Sequence, residues 1–163
     1  KPAPFPYGKF PYEAAVLALI TREASPRLLL TQRSSKLETH SGQVAFPGGI
    51  YEEKDGDLQE TALRETSEEV GICPEEIEII GELSPVFSHH KIAVKPYVGF
   101  VTPDAKLCKN PAEVAAIFAP TLKFFLNSSP CPIHPAPCFH YEHYRIWGLT
   151  GIMISELLSL LTK

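Results

Sequence analysis

The sequence has no Cys-x-x-Cys pair. Its four cysteines, Cys73, Cys108, Cys131 and Cys138, stand apart, which excludes a paired-thiolate zinc ribbon and a thioredoxin-type redox motif. The histidines do not make up for this, because none of His89, His90, His134, His140 and His143 shares a helix face with a cysteine in register. Basic charge is also scarce: 15 Lys and Arg stand against 19 Asp and Glu, for a net charge of -4. Without a basic stripe to neutralise a duplex backbone, no nucleic-acid partner is expected, and any phosphorylated ligand must be met locally. Apolar runs all fall short of a bilayer core, so no membrane partner is expected and the chain reads as soluble.

Neither an internal repeat nor a low-complexity linker divides the 163 residues, a length suited to a single globular domain over 1–163. No secretory leader is evident, so reduced thiols in the cytoplasm are the expectation. The sequence begins at Lys1, which leaves open an organellar targeting segment ahead of it. No pattern specifies an oligomeric state.

Residues 1–12 carry four prolines and predict an irregular arm. The apolar runs from Glu13 to Thr21 and from Arg27 to Arg33 predict two buried strands joined as a hairpin. Residues Gln43 to Phe46 lead into Pro47-Gly48-Gly49, a signal that breaks regular structure. From Asp57 to Val70, Leu58, Ala62, Thr66 and Val70 recur every fourth residue, which predicts an amphipathic helix stopped at Gly71. Further strands are predicted at Glu76 to Leu83, Ile92 to Val101 and Tyr141 to Trp147. Thr121 to Leu126 reads as a turn or two of helix, Ser129 to Cys138 as a loop, and Thr150 to Leu161 as a last helix. Strands mixed with two substantial helices imply an α/β sandwich.

The predicted central helix places Glu65, Glu68 and Glu69 at i, i+3 and i+4, on one face. A run of like charge is ordinarily a solvated surface. Here, however, Arg64 is the only basic residue in the segment to offset the repulsion, and Mg²⁺ or Mn²⁺ would remove it, since hard cations take carboxylate oxygens together with substrate phosphates. Gly48-Gly49, a short loop upstream, would let the backbone approach an ion or a phosphate closely.

The string from Gly49 to Ile72, with Arg64-Glu65-Thr66-Ser67-Glu68-Glu69-Val70-Gly71, resembles the Nudix box. The resemblance implies a Nudix-type α/β/α sandwich with a mixed β-sheet and a diphosphate hydrolase using Mg²⁺ or Mn²⁺. It further implies that Glu65, Glu68, Glu69 and the Gly48 carbonyl ligate the metal and that Arg64 orients the glutamates. Three departures stand out. The gap from Gly49 to Arg64 is one residue longer than usual, Gly56 occupies the place of the first box glutamate between Asp55 and Asp57, and Thr66 replaces an aliphatic residue. Asp55 and Asp57, which flank the place of that glutamate, are candidates to substitute there, but no metal ligand is assigned to either.

The run from Leu29 to Gly49 is similar to a signature of the coenzyme A pyrophosphatases within that family. On residue type alone, Arg33 and Lys36 read either as surface charges at a strand end or as phosphate partners, His40 as a loop histidine and Gly42 as a turn. The resemblance makes Arg33, Ser34, Lys36, His40 and Gly42 substrate-binding candidates. Glu38 stands where the signature has a basic residue. Family members often carry a catalytic or metal-bridging glutamate on a downstream loop, for which Glu113 is the candidate; a helix-start carboxylate is the other reading. The similarity extends through His143 to Thr150, where Trp147, Gly148 and Thr150 are expected to set the packing of the last helix.

The implied reaction is metal-assisted hydrolysis of coenzyme A, and of short acyl-CoAs, to 3',5'-ADP and 4'-phosphopantetheine, with Glu65 or Glu113 accepting the proton of the attacking water. Hydrolysis of ADP-ribose, NADH or a dinucleoside polyphosphate is the neighbouring alternative, and a catalytically silent nucleotide-binding domain is the alternative of another class.

Overall fold

A computed structural model describes residues 12–37, 42–89, 91–128 and 137–163. Of the expectations above, the arm up to residue 11, His40 and the Pro-rich stretch 129–136 lie outside the described residues.

Strand β1 (Tyr12–Thr21) is central. It runs antiparallel to β4 (Gly48–Ile50) on one side and parallel to β7 (Ile92–Val101) on the other. The order β4-β1-β7-β5 is completed by β5 (Glu78–Glu82), and β6 (Val86–Phe87) pairs with the start of β7. A second sheet has the order β3-β2-β8, from β3 (Val44–Ala45), β2 (Leu30–Arg33) and β8 (Val114–Phe118).

Alternation along β1 sends its side chains into two cores. Ala15, Leu17 and Leu19 pack against Leu58, Ala62 and Val70 of helix α1 (Leu58–Val70). Ala14, Ala18 and Ile20 face Leu30, Val44 and the residues Met153, Ile154 and Leu157 of helix α3 (Gly148–Leu161). The result is the α/β/α sandwich with a mixed sheet. Leu17 and Leu19 are fully buried, each contributing about 1.5–3 kcal/mol. No helix of the described residues is long and apolar enough to cross a membrane.

Helix α1 begins where the carboxylate of Asp57 accepts the Glu60 amide at 2.8 Å and stops at Gly71, whose φ of 80° is the left-handed cap. Thr66, out of place in an apolar stripe, is fully buried because its hydroxyl donates to Ala62 O at 2.7 Å.

Several sequence expectations are corrected. β1 and β2 meet as a hairpin only at its base, through the Ile20–Leu28 bridge, and then separate into different sheets. Gly48-Gly49 does not end a strand but opens β4, because β1 supplies a ladder for it. The strand expected from Tyr141 to Trp147 is a tight hairpin, β9 (Phe139–Tyr141) and β10 (Tyr144–Ile146), reversed at Glu142 with φ 54°. The short helix expected at Thr121 to Leu126 is present as α2 (Leu122–Leu126), capped by Thr121, whose hydroxyl accepts the Phe124 amide. Thr150 is buried and its hydroxyl donates to Val44 O at 3.0 Å, but Trp147, the residue between β10 and α3, is 40% exposed.

Candidate active site

Helix α1 lies across β1 and β4 with its carboxylates toward the Gly48–Gly49 step. Ligand oxygens of Glu65, Glu69 and Glu113 lie within 4.8 Å of one another. Glu65 and Glu69 come from successive turns of α1, and Glu113 from the turn that enters β8. That turn is fastened to the helix end: Cys108 N donates to Val70 O at 2.9 Å and Asn110 N to Glu69 O at 3.0 Å. These bonds satisfy carbonyls that a helix terminus otherwise leaves open. The Asn110 carbonyl in turn accepts the amides of Glu113 and Val114 at 3.0 and 2.8 Å. Glu113 is therefore a turn residue, not the start of a helix, and its place is set by the backbone of the helix it faces.

Glu69 is buried, with 7% of its surface exposed. Burial, then the charges of Glu65 and Glu113, push its carboxyl up to about 8, against the opposing pull of the Gly48 amide and Arg33. Burial also raises Glu65, opposed by the Arg64 guanidinium. Three carboxylates brought this close form a donor set suited to a hard divalent cation, which would remove the repulsion between them.

Glycines shape the floor of this group. A Cβ on Gly49 would stand 2.5 Å from Cδ of Glu65, so only glycine lets that carboxylate lie on the strand. At Gly48 the amide donates to Glu69 Oε2 at 3.3 Å. Leu17 N donates to Pro47 O and Tyr51 N to Glu13 O, each at 2.9 Å; since hydrogen-bonded positions alternate in an antiparallel ladder, the Gly48 polar groups turn away from β1.

Arg64 is the hub beside the group. Nε and Nη2 grip Asp55 at 2.6 and 3.0 Å, Nη1 donates to Glu65 at 3.0 Å and to Glu68 at 3.3 Å, and Nη2 also reaches Ile50 O at 3.2 Å. Asp55 is 3% exposed and also accepts Thr61 Oγ1 and the Glu52 amide, each at 2.9 Å. The Arg64 bonds hold the Asp55 carboxyl well below the usual carboxylate range, and Asp55 in return raises Arg64 further. Of the two aspartates that flank the vacant box position, Asp55 meets Arg64 whereas Asp57 caps α1. The signal was the extra residue before Arg64: Gly56, at φ 67°, turns the chain so that Asp55 and not residue 56 faces the guanidinium. Glu68 lies outside the group of three, half-exposed against Arg64.

The second motif borders the same cluster. Arg33 ends β2 opposite Val114, and its charge acts on Glu69. Ser34 is 4% exposed; its amide donates to Glu113 O at 2.9 Å and its hydroxyl accepts the Lys36 amide at 3.2 Å, so it builds the turn. Lys36 is exposed on that turn. Gly42, at φ 75°, closes the loop by donating to Arg33 O at 3.1 Å. Asn110-Pro111 is a turn signal in the sequence, and the Asn110 backbone organises the turn that carries Glu113.

A family profile described as NUDIX domain matches residues 11–122. The Nudix hydrolase NudL of Citrobacter koseri is 44% identical over 154 residues, covering 89% of this chain and 80% of that protein. Among solved structures, a MutT/nudix family protein from Enterococcus faecalis superposes with a TM-score of 0.66 at 18% identity, over 99% of this chain and 66% of that one. An Ap4A hydrolase from C. elegans, solved as a binary complex, gives 0.58 at 22% identity, over 68% and 80%.

Proposed function

The chain belongs to the Nudix hydrolase family and is a diphosphate-hydrolysing enzyme, and on that premise we propose that its substrate is coenzyme A, cleaved to 3',5'-ADP and 4'-phosphopantetheine. The observation that carries this reading is the join between the two motifs: Ser34 N donates to Glu113 O at 2.9 Å. That bond puts the run resembling the coenzyme A pyrophosphatase signature against the carboxylate group.

Glu65, Glu69 and Glu113, with Glu68 and the Gly48 carbonyl beside them, are the residues that would hold Mg²⁺ or Mn²⁺. When bound, such a cation supplies charge neutralisation at the diphosphate and acidifies water. Arg64 fixes the direction of Glu65 and Glu68. Arg33 and Lys36 meet phosphate oxygens, Arg33 from the strand end and Lys36 from the turn; Gly42, and His40 on the resemblance alone, complete the substrate-binding candidates. Glu65 is already hydrogen-bonded to Arg64 at 3.0 Å, which leaves its carboxylate less free to take up a proton from a new partner, so Glu113 is the residue that would accept the proton of the attacking water.

A substrate panel with Mg²⁺ or Mn²⁺ tests the reading: coenzyme A, dephospho-CoA, ADP-ribose, NADH and a dinucleoside tetraphosphate. Coenzyme A is expected to give the highest kcat/KM and to exceed dephospho-CoA, because a cation paired with the 3'-phosphate is left unpaired without it. A higher kcat/KM for ADP-ribose, NADH or the dinucleoside tetraphosphate would replace coenzyme A as the substrate. Equal efficiency on coenzyme A and dephospho-CoA would show that the 3'-phosphate is not read.

A further inference from the structure

A cleft of about 210 Å³ opens at the C-terminal ends of β1 and β7, against the segment that follows α1. Its floor is apolar: Leu29 and Ile72 line it and are 4% and 1% exposed, while Leu107 stands at the rim with 47% of its surface exposed. The volume lies below the roughly 300–1,000 Å³ of sites that hold drug-sized molecules, so a second nucleotide does not fit.

Two opposite charges share this cleft, Glu23 and Arg27. Among the described residues no ion pair joins them, because each is held by another neighbour. Glu23 Oε2 accepts the Thr21 hydroxyl at 2.5 Å, and Arg27 Nη1 donates to Ala119 O at 2.9 Å. Thr21 Oγ1 also accepts the Arg27 amide at 2.8 Å, which ties the carboxylate to the strand end. An apolar floor with a carboxylate and a guanidinium held apart complements a molecule that carries an ammonium, a carboxylate and an apolar side chain. A phosphate alone would be repelled by Glu23.

The walls of the cleft adjoin the join that places Glu113. Leu107 immediately precedes Cys108, whose amide donates to Val70 O at 2.9 Å, and Ile72 follows Val70 by two residues. The next bond along, Asn110 N to Glu69 O at 3.0 Å, fixes the turn that carries Glu113. A molecule seated between Ile72 and Leu107 therefore bears on both sides of that join.

We propose that this cleft is a regulatory site for a free aliphatic amino acid, with the carboxylate on Arg27, the ammonium on Glu23 and the side chain on Leu29, Ile72 and Leu107. Occupancy then acts on the carboxylate group through the Cys108 and Asn110 backbone bonds.

Titration of the full chain with L-leucine, followed by NMR chemical shifts, tests the site. Saturable binding is expected with Kd on the order of 1 mM, ordinary for a ligand of about nine non-hydrogen atoms. Three probes each lack one feature: 4-methylpentanoate the ammonium, isopentylamine the carboxylate and glycine the side chain. Each is expected to bind about tenfold more weakly or worse. Glu23→Gln and Arg27→Gln, which remove one charge each from exposed positions, are expected to weaken leucine about tenfold while circular dichroism shows both folded. Electron paramagnetic resonance of free Mn²⁺ reads the coupling: saturating leucine is expected to change Mn²⁺ affinity about fivefold or more, and Mn²⁺ to change leucine affinity by the same factor. Absence of saturable binding, equal binding of 4-methylpentanoate or isopentylamine, or wild-type affinity in both variants overturns the amino-acid site. Leucine binding that leaves Mn²⁺ affinity unmoved overturns the regulatory role. None of these outcomes depends on which diphosphate is cleaved.

Discussion

Asp55 holds Arg64 through two parallel hydrogen bonds, Nε to Oδ1 at 2.6 Å and Nη2 to Oδ2 at 3.0 Å, and the free corner of the same guanidinium reaches Glu65 and Glu68. A buried aspartate thus aims two carboxylates it does not touch. Asp55→Asn keeps the shape but loses the charge, and is expected to weaken Mn²⁺ binding and turnover about 10–100-fold, the usual effect of losing a group that orients metal ligands. Electron paramagnetic resonance of free Mn²⁺ measures the binding separately from the rate. The same substitution has an acid signature. The folded-state pKa of Asp55 is depressed, so its stabilisation is fully present above the unfolded value of about 3.9 and is lost as pH falls through the folded value. The Tm advantage of the wild type over Asp55→Asn is therefore expected to be constant near neutrality and to shrink below about pH 4.

Glu69 gives the opposite dependence. Its carboxyl is pushed up to about 8 in the metal-free protein, so the folded state holds a proton that the unfolded state releases above about 4.3. Metal-free stability should fall as pH rises between those values, and Glu69→Gln should flatten that fall. A cation must displace the proton, so Mn²⁺ affinity should rise with pH up to about 8 and level off above it. Affinity independent of pH from 6 to 9 would remove Glu69 from the ligand set.

Glu69 and Glu68 are expected to rank by position. Glu69→Gln, inside the buried group, should lower kcat on the order of 10³-fold, comparable to losing one element of a preorganised charge site. Glu68→Gln, half-exposed against Arg64, should lower it less and respond to added metal. Circular dichroism should show both folded, and EDTA should silence the wild type. Turnover that persists in EDTA would refute the cation.

Neighbouring glycines should fail for different reasons. A Cβ at Gly49 meets only the end of the Glu65 side chain, at 2.5 Å, whereas at Gly48 it meets Ala15 O at 2.3 Å, which is backbone. Gly49→Ala should therefore reduce activity with little change in Tm. Gly48→Ala should destabilise the protein by about 1–3 kcal/mol through overpacking. Thermal melts and initial rates on the two variants distinguish these outcomes.

Local patterns were enough for much of the architecture. The four-residue spacing of Leu58, Ala62, Thr66 and Val70, with Gly71 after it, specified α1 nearly to its ends, and the apolar run from Ile92 to Val101 specified β7, because period and turn chemistry are properties of contiguous residues. That Glu65 and Glu69 share a face follows from the same periodicity. The partner of each strand did not. β2 leaves β1 for another sheet, and Gly48-Gly49 becomes a strand, only because of what lies beside them after folding. Glu113 joins Glu69 across 44 residues of chain through the Asn110 backbone bond to the helix end, and Asp55, not residue 56, grips Arg64, with Gly56 beside it at φ 67°. Sequence determined which carboxylates stood together along one helix; tertiary structure decided which others met them, since contacts between distant segments depend on backbone groups that carry no residue-specific mark in the chain.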